Sequence, residues 1–306
     1  KQAYIIAEIG LNHDGNFNKT FSLIKSAKRA GADAVKFQLF KAQDLYLENS
    51  KNFKLLKKLE LSFSKIHKLR KFSKKLNIDF ICTPFSIEAA AFLKKIKVDA
   101  IKIASMDANN FLLIKYCIKT KIPLIISTGM CNKNDLINLK KVTKKTNNIS
   151  ILHCISNYPS FLKDLDLGLI YKLKKLFGDK YKIGYSDHSI GITACLIALI
   201  NGAEIIEKHF TLKKKFKGDH LHSSDEQELK HLSSFAKNKN FLFSRNTSFN
   251  QRKDLFNKRY FRRGLYAAKN LKKGDILNYL NLNIVRPQNN HNLRINENLF
   301  KKQMIK

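Results

Sequence analysis

The chain has 306 residues, 44% of them hydrophobic, and its 58 Lys and Arg against 24 Asp and Glu give a formal net charge of +34. This length suits one large domain with a small one, and no uninterrupted apolar run reaches the roughly 18 residues that a membrane helix needs. Because the basic residues are spread over nearly every helical stretch, we interpret the charge as a solvated lysine surface that favours anionic substrates. We expect no membrane partner and no specific nucleic-acid partner, and a basic nucleic-acid-binding protein stays the alternative of a different class.

The cysteines and the first residues bear on the compartment. Five cysteines are scattered along the chain and form no C-x-x-C pair, which is typical of a reducing environment. The first ten residues contain Glu8 and lead directly into polar, site-like sequence, which argues against a signal peptide. Together these features predict a cytoplasmic protein.

Short apolar runs alternate with amphipathic stretches of about ten to fifteen residues, the pattern of parallel βα units. The predicted strands are residues 4–9, 34–37, 80–82, 100–103, 124–127, 150–154, 183–185 and 204–209. Predicted helices include residues 21–30, 88–95, 112–119, 135–144, 167–177 and 194–201. Eight strands and about eight helices predict a (β/α)8 TIM barrel. A doubly wound open sheet is the second choice, because its G-x-G-x-x-G turn is absent.

The pattern changes near residue 241, where the sequence becomes polar and loop-like. We therefore predict a catalytic domain over residues 1–240, a linker over 241–258 and a small β-rich domain over 259–306. Within the small domain, strand-like segments at 264–268 and 284–287 flank a turn at 272–274.

Nearly every predicted barrel strand carries polar residues at its carboxyl end. In chain order these are Glu8, Asn12, His13, Lys36, Gln38, Thr83, Lys102, Ser105, Asp107, Ser127, Ser156, Tyr158, Ser186, Asp187, His188, Glu207 and His209. The active sites of TIM barrels lie at this end. Burying such groups costs several kcal/mol unless they meet partners or a ligand. The pattern therefore predicts a site here.

Two of these residues, Lys36 and Lys102, interrupt the hydrophobic runs AVKF and AIKI. Strands of a closed barrel have no edge, so both lysines are predicted to point inward and bind an anion. With the hydroxyls of the neighbouring strand ends they form a plausible cradle for one small phosphorylated carboxylate. The hydroxyl residues are Thr83, Ser105, Ser127 and Ser186.

A metal site is predicted from His188 and His209, which end adjacent strands seven and eight. Neighbouring strands lie about 4.8 Å apart, so both imidazoles can reach one ion. The acidic neighbours Asp187 and Glu207 strengthen this prediction. Two histidines with oxygen ligands favour Mn²⁺, or Mg²⁺, over a closed zinc site. His153 is interpreted equally well as a hydrogen-bonded core histidine and as a site residue.

A family resemblance emerges from eight segments read in order. They are AEIGLNHDG at 7–15, GADAVKFQ at 31–38, TPF at 83–85, KIASMDANN at 102–110, STGM at 127–130, HCISNYP at 153–159, GYSDH at 184–188 and IEKHFT at 206–211. These segments resemble the sialic acid synthase family, which makes N-acetylneuraminate, legionaminate and pseudaminate. RRGLYAA at 262–268, followed by KKG at 272–274, resembles the antifreeze-like SAF domain that closes these enzymes.

The resemblance implies a transferase that condenses phosphoenolpyruvate with an N-acylated hexose such as N-acetylmannosamine. It implies a phosphoenolpyruvate site made of Lys36, Thr83, Lys102, Ser105, Ser127, Ser156 and Ser186. It further implies metal ligation by His188 and His209, and sugar contacts from Gln38, Tyr158, Asp219 and Arg263. Because the SAF domain of these enzymes reaches the active site of the partner subunit, it also implies a domain-swapped homodimer.

Three departures from the family pattern stand out. Asp107 occupies a position where some members carry Glu, the loop at 216–220 reads FKGDH, and residues 288–291 lack an expected glycine. The last departure predicts a small domain shortened at its end.

From their strand-end positions, Glu8 and Asp107 are the candidates for stabilising a cationic centre and moving a water proton. The nearest alternative enzyme is another phosphoenolpyruvate-dependent aldol-type synthase that accepts a phosphorylated aldose.

Overall fold

A computed structural model of the chain describes residues 2–242, 255 and 257–286. It divides into two compact units, Lys1–Phe243 and Ser244–Lys306. Much of the predicted linker over 241–258 and the predicted shortened end after residue 286 lie outside the described residues. In the described part of the chain, no helix is both long enough and apolar enough to cross a membrane.

The first unit contains eight parallel strands that close into a barrel in chain order. They are β1 (Tyr4–Glu8), β2 (Ala34–Leu39), β3 (Asp79–Pro84), β4 (Ala100–Ile103), β5 (Leu124–Ser127), β6 (Ile149–Cys154), β7 (Lys182–Asp187) and β8 (Ile205–His209). Closure comes from the pairing of β1 with β8, in which Glu8 lies opposite His209. The predicted (β/α)8 barrel is confirmed. The open doubly wound sheet is wrong, because this pairing leaves the sheet without an edge.

Ten helices surround these strands in the described part of the first unit. They are α1 (Phe17–Arg29), α2 (Ala42–Leu45), α3 (Lys51–Leu59), α4 (Phe63–Lys75), α5 (Ile87–Lys95), α6 (Phe111–Lys119), α7 (Lys133–Thr143), α8 (Leu169–Phe177), α9 (Thr193–Ile200) and α10 (Glu226–Leu242). Several begin at side-chain caps that satisfy free backbone N–H groups, for example Asn16 before α1 and Ser62 before α4. The Asn16 cap makes α1 begin at Phe17, four residues before the predicted start at residue 21.

The barrel interior is layered, and the layers follow from the two-residue repeat of a strand. One apolar layer consists of Ile6, Ala34, Ile81, Ala100, Ile125, Leu152 and Ile205. Two positions further along the eight strands, on the same inward face, stand Glu8, Lys36, Thr83, Lys102, Ser127, Cys154, Ser186 and Glu207. All eight are buried. Strand periodicity alone therefore gathers this polar layer at the carboxyl end of the barrel.

The second unit, as far as it is described, is small. A short helix α11 (Lys258–Phe261) precedes β9 (Gly264–Ala267), which pairs antiparallel with β10 (Leu282–Val285). Gly274, in the connection between the strands, has a φ of 101°, a conformation that favours glycine. The two strands overlap the predicted segments at 264–268 and 284–287. The assignment of this unit to the SAF domains stays a prediction.

Candidate active site

The carboxylate of Glu207 is the centre of the buried polar layer. Its Oε1 lies 3.2 Å from Lys36 Nζ and 3.3 Å from Lys102 Nζ, and it accepts a 2.9 Å hydrogen bond from Ser186 Oγ. Lys36 also lies 3.3 Å from Glu8 Oε2, and Gln38 donates to Glu8 Oε1 at 3.0 Å. The inward direction predicted for both lysines is confirmed. The structure adds that each lysine shares the same carboxylate.

Burial and charge pairing set the protonation of this cluster. Burial raises the pKa of Glu207, but the ammonium groups of Lys102 and Lys36 outweigh it and lower that pKa to about 2. Burial lowers the pKa of Lys36, yet Glu207 and Glu8 raise it above its ordinary value. For Lys102 burial prevails and the pKa is lowered. The pKa of Glu8 is raised because the effect of burial exceeds that of Lys36. Of the two carboxyl groups, Glu8 therefore holds a proton more readily than Glu207 does.

Hydroxyl groups line the same end of the barrel and have spare hydrogen-bonding capacity. Within the described chain, the buried hydroxyls of Thr83, Ser127 and Ser156 have no hydrogen-bond partner. Ser105 Oγ accepts a 3.0 Å bond from the Gly129 N–H. A Cβ at Gly129 would clash with Ser156 Oγ and lie 2.8 Å from Ser105 Oγ, so both hydroxyls converge on the glycine. Buried donors without partners are costly unless a ligand meets them.

Imidazole rings form the other side of the site. The ring centres of His188 and His209 are 5.3 Å apart. The Nδ1–H of His188 can donate to the Ile155 carbonyl at 2.8 Å, which leaves its Nε2 as an acceptor. His209 Nδ1 is buried without a hydrogen bond to any described residue and lies 3.6 Å from Asp219 Oδ2. Burial lowers the pKa of His209 well below its ordinary value, so this ring is neutral and its free electron pair can bind a metal.

These two histidines fit a divalent ion as a partial ligand set. Among all the described residues, including those of this site, no group of three His, Cys, Asp or Glu side chains is arranged to hold an ion. The orphaned nitrogen of His209 and the oriented ring of His188 are nevertheless suitable donors, and further ligands would come from substrate or water. The choice of Mn²⁺ or Mg²⁺ stays a prediction.

The acidic support predicted for the metal site is wrong in part. Strand β7 extends through Asp187, so strand alternation turns this carboxylate away from the barrel interior. It accepts a 2.6 Å bond from Lys208 and lies 3.4 Å from Cys195 Sγ of α9. Glu207 does point inward, but its carboxylate bonds lysines and Ser186 instead of an imidazole.

Some predicted residues are not joined to this cluster. Asp107 is the last residue of a short helical turn that follows β4. Its carboxylate accepts a 3.0 Å hydrogen bond from Asn110, and burial raises its pKa. No contact in the described chain links Asp107 to Glu8. Arg263 is exposed in the second unit. His153 Nε2 bonds the Leu165 carbonyl at 2.7 Å, which supports its interpretation as a core histidine.

Tyr158 and Asp219 do lie beside the imidazoles. The half-exposed Tyr158 ring is 4.2 Å from the ring of His188, centre to centre, and 6.5 Å from that of His209. The loop that carries Asp219 is tied to the loop after β1 through Asp14, whose carboxylate accepts bonds from Lys19, Lys215 and His220 at 2.7, 2.9 and 2.9 Å.

Sequence reasoning included Glu207 but assigned it to the histidines instead of the lysines, and it missed His222. Glu207 carried a usable signal, since it precedes His209 by two positions and must share its inward face. His222 carried none, because it belongs to a loop that folds back over the barrel. Its ring centre is 4.6 Å from that of His209 and 5.9 Å from that of His188.

The amino-acid sequence matches a known protein family. The model of the NeuB family matches residues 23–245. This chain belongs to the NeuB family. It is 35% identical to the N,N'-diacetyllegionaminic acid synthase of Campylobacter jejuni, over 94% of this chain and 92% of that protein. It is also 35% identical to the N-acetylneuraminate-9-phosphate synthase of Drosophila melanogaster, over 77% of this chain and 67% of that protein.

Solved structures agree with this membership. The N-acetylneuraminic acid synthetase of Leptospira borgpetersenii, in complex with citrate, superposes with a TM-score of 0.78 at 32% identity. The match covers 84% of this NeuB-family chain and 92% of that one. A truncated 3-deoxy-D-arabino-heptulosonate 7-phosphate synthase from Thermotoga maritima gives a TM-score of 0.61 at 16% identity, which shows a common fold alone.

Proposed function

We propose that this NeuB-family protein is a nonulosonic acid synthase that condenses phosphoenolpyruvate with an N-acylated sugar aldehyde and releases phosphate. The observation that carries the proposal is the buried pair Lys36 and Lys102, joined by Glu207 and surrounded by hydroxyls without partners. Two ammonium groups beside free hydroxyl donors suit a ligand that bears both a phosphate and a carboxylate. Relatives named as legionaminic and pseudaminic acid synthases support the same reaction.

In the proposed reaction the lysines and hydroxyls hold phosphoenolpyruvate so that its C3 faces the aldehyde carbon. Fixing both reactants makes the attack effectively unimolecular. A divalent ion held by His188 and His209 would supply a Lewis acid for the aldehyde oxygen. The new C–C bond leaves a cationic C2, which the ionised Glu207 and the adjacent Glu8 stabilise.

Water then adds to C2, and its proton must be accepted before the C–O bond to phosphate breaks. Glu8 is the better-placed base of the two acids predicted for this step, because it lies in the lysine cluster and its raised pKa favours proton uptake. Asp107 is half-buried beside the hydroxyl-bearing turn at Ser105, and we assign it the secondary role of orienting the water.

The proposal is tested by measuring phosphate release from phosphoenolpyruvate in the presence of Mn²⁺. The acceptors are N-acetylmannosamine, its 6-phosphate, diacetamido-mannose, diacetamido-altrose and a phosphorylated aldose without an acyl group. We expect release with at least one N-acylated acceptor, with a product heavier by a pyruvate unit in mass spectrometry. Release with the unacylated aldose alone would favour the alternative synthase. Binding of random DNA with no release by any acceptor would favour the nucleic-acid-binding alternative.

We further propose that the enzyme works as a domain-swapped homodimer in which Arg263 of one chain serves the sugar site of its partner. A guanidinium is a suitable donor for an acyl carbonyl, and Arg263 is an exposed side chain in a small unit. Mixing inactive His188→Ala chains with inactive Arg263→Ala chains should restore activity, because one site of each mixed dimer has both groups. Mixed dimers without activity would disprove the swap.

A further inference from the structure

His222 brings a third imidazole to the predicted metal site of His188 and His209. Its ring centre lies 4.6 Å from that of His209 and 5.9 Å from that of His188, and those two rings are 5.3 Å apart. With metal–nitrogen bonds of about 2.1 Å, three imidazoles around one ion have centres on the order of 5 Å apart. The distances between the ring centres are those expected around one ion, but no three His, Cys, Asp or Glu side chains of the described residues are arranged to hold an ion without further movement.

The Nε2 atom of His222 has no hydrogen-bond partner among the described residues. The side chain is 1% exposed, and this nitrogen is buried. A buried polar nitrogen without a partner destabilises the fold, a cost that an apolar residue of the same size would avoid. His153 is the contrast, because its buried nitrogen is satisfied by the Leu165 carbonyl.

The ring of Tyr158 adds a second, independent contact. It lies 4.2 Å from His188, 5.6 Å from His222 and 6.5 Å from His209, measured between ring centres. One aromatic ring thus has its centre within 6.5 Å of those of all three imidazoles. His209 Nδ1 and His222 Nε2 are both buried without a hydrogen bond from the described residues, and one ion that reached both nitrogens would satisfy them.

We propose that His222 is a third nitrogen ligand of the divalent ion, completing a three-histidine site with His188 and His209 after a rotation of its ring. The proposal rests on the proposed function in one respect, which is that an ion binds at the site of His188 and His209. A three-imidazole set favours Co²⁺ or Zn²⁺ over Mg²⁺, which prefers oxygen ligands. A three-histidine site would leave the remaining coordination positions of the ion open to substrate oxygens.

The test is a titration of the metal-free full-length protein with Co²⁺, followed by its visible absorption. Proteins with His222→Ala and His222→Phe are compared with wild type, and folding is checked by circular dichroism. The exposed His231 of α10 provides the matched control, His231→Ala. We expect both His222 variants to weaken Co²⁺ binding by at least about 10- to 100-fold and to change the spectrum. The control variant should bind as wild type does.

The Phe variant separates ligation from packing, because it keeps a ring of similar size and removes both nitrogens. Wild-type affinity in His222→Phe would overturn the proposal and reduce His222 to a packing residue. If His188→Ala abolishes binding while both His222 variants bind normally, only this inference fails and the proposed function stands. If wild type binds no ion, this inference and the metal step of the proposed reaction both fail, and phosphate release with the N-acylated acceptors still tests the proposed function.

A second measurement needs no variant of a buried residue. Pulsed electron paramagnetic resonance of the Mn²⁺-loaded wild-type protein counts the coordinated nitrogens directly. Three histidine nitrogens support the proposal, and two refute it.

Discussion

Neighbouring residues of β8 enter two buried ion-pair systems that differ in completeness. Lys208 faces the helices and is fully buried. It donates to Asp187 at 2.6 Å and to the Ser189 carbonyl at 2.5 Å. Asp187 also accepts bonds from Tyr185 and from the Ser189 N–H, so every oxygen of this outer pair is occupied.

Glu207 faces the barrel interior, and the inner cluster that it joins is unfinished. Its Oε2 and the hydroxyls of Thr83, Ser127 and Ser156 have no hydrogen-bond partner in the described residues. Both systems bury charge equally well, so burial does not tell them apart. Completeness does, because removing one partner of a satisfied pair destabilises the fold, while unsatisfied donors and acceptors can still bind a ligand.

The largest effect expected from this comparison is on activity alone. Chelation of divalent ions, His188→Ala and His209→Ala should each lower turnover by about 1,000-fold or more, since a Lewis acid contributes several kcal/mol to the transition state. The free energy of unfolding of the two variants in the absence of metal should stay close to that of wild type. Full turnover after exhaustive chelation would remove the metal from the mechanism.

The outer pair should show the opposite response. Lys208→Ala leaves the Asp187 carboxylate buried without its cation, which should cost about 3–5 kcal/mol of stability. Urea denaturation measures this loss. Replacing both partners, as Lys208→Met with Asp187→Leu, should recover most of it. A stable single variant would show that the outer pair is not needed for folding.

Removing one lysine of the inner cluster should have an intermediate effect. Lys36→Ala or Lys102→Ala each takes away a charge-assisted bond worth about 1.5–3 kcal/mol, a loss of roughly 10- to 150-fold in kcat/KM for phosphoenolpyruvate. Stability should fall less than in Lys208→Ala, because Glu207 keeps its other lysine. An unchanged response to phosphoenolpyruvate with a weakened response to the sugar would contradict the anion cradle.

The smallest effect is expected at the rim, where Asp14 joins two loops. Burial raises the pKa of Asp14, but the bonds from Lys19, His220 and Lys215 outweigh it and hold that pKa below its ordinary value of 3.8. A carboxyl with a lowered pKa stabilises the fold above its unfolded pKa and loses this effect as the pH falls through the folded one. Asp14→Asn should therefore lower the free energy of unfolding by about 0.5–1 kcal/mol at pH 7.

The difference between Asp14→Asn and wild type should shrink as the pH falls below about 4. Denaturation curves at pH 7, 5 and 3 measure it. A difference that persists unchanged at pH 3 would mean that shape, not charge, ties the two loops.

The sequence by itself determined the barrel and the direction of its inward side chains. Eight apolar runs separated by helices fix the fold class, and the two-residue strand repeat sends Lys36, Lys102 and Glu207 to the same interior. The motifs at the strand ends are short continuous segments of sequence, so the family resemblance also follows from the sequence alone.

Only the tertiary structure decided which of these groups meet. Strand periodicity gives the face of a residue but not its neighbour across the barrel, so Glu207 was associated with histidines instead of lysines. Asp187 was misplaced because β7 runs two residues further than its apolar run, which extends the strand alternation to it. His222 lies beside His209 because the loop after β8 folds back. A loop path depends on contacts remote in sequence, and local patterns do not encode them.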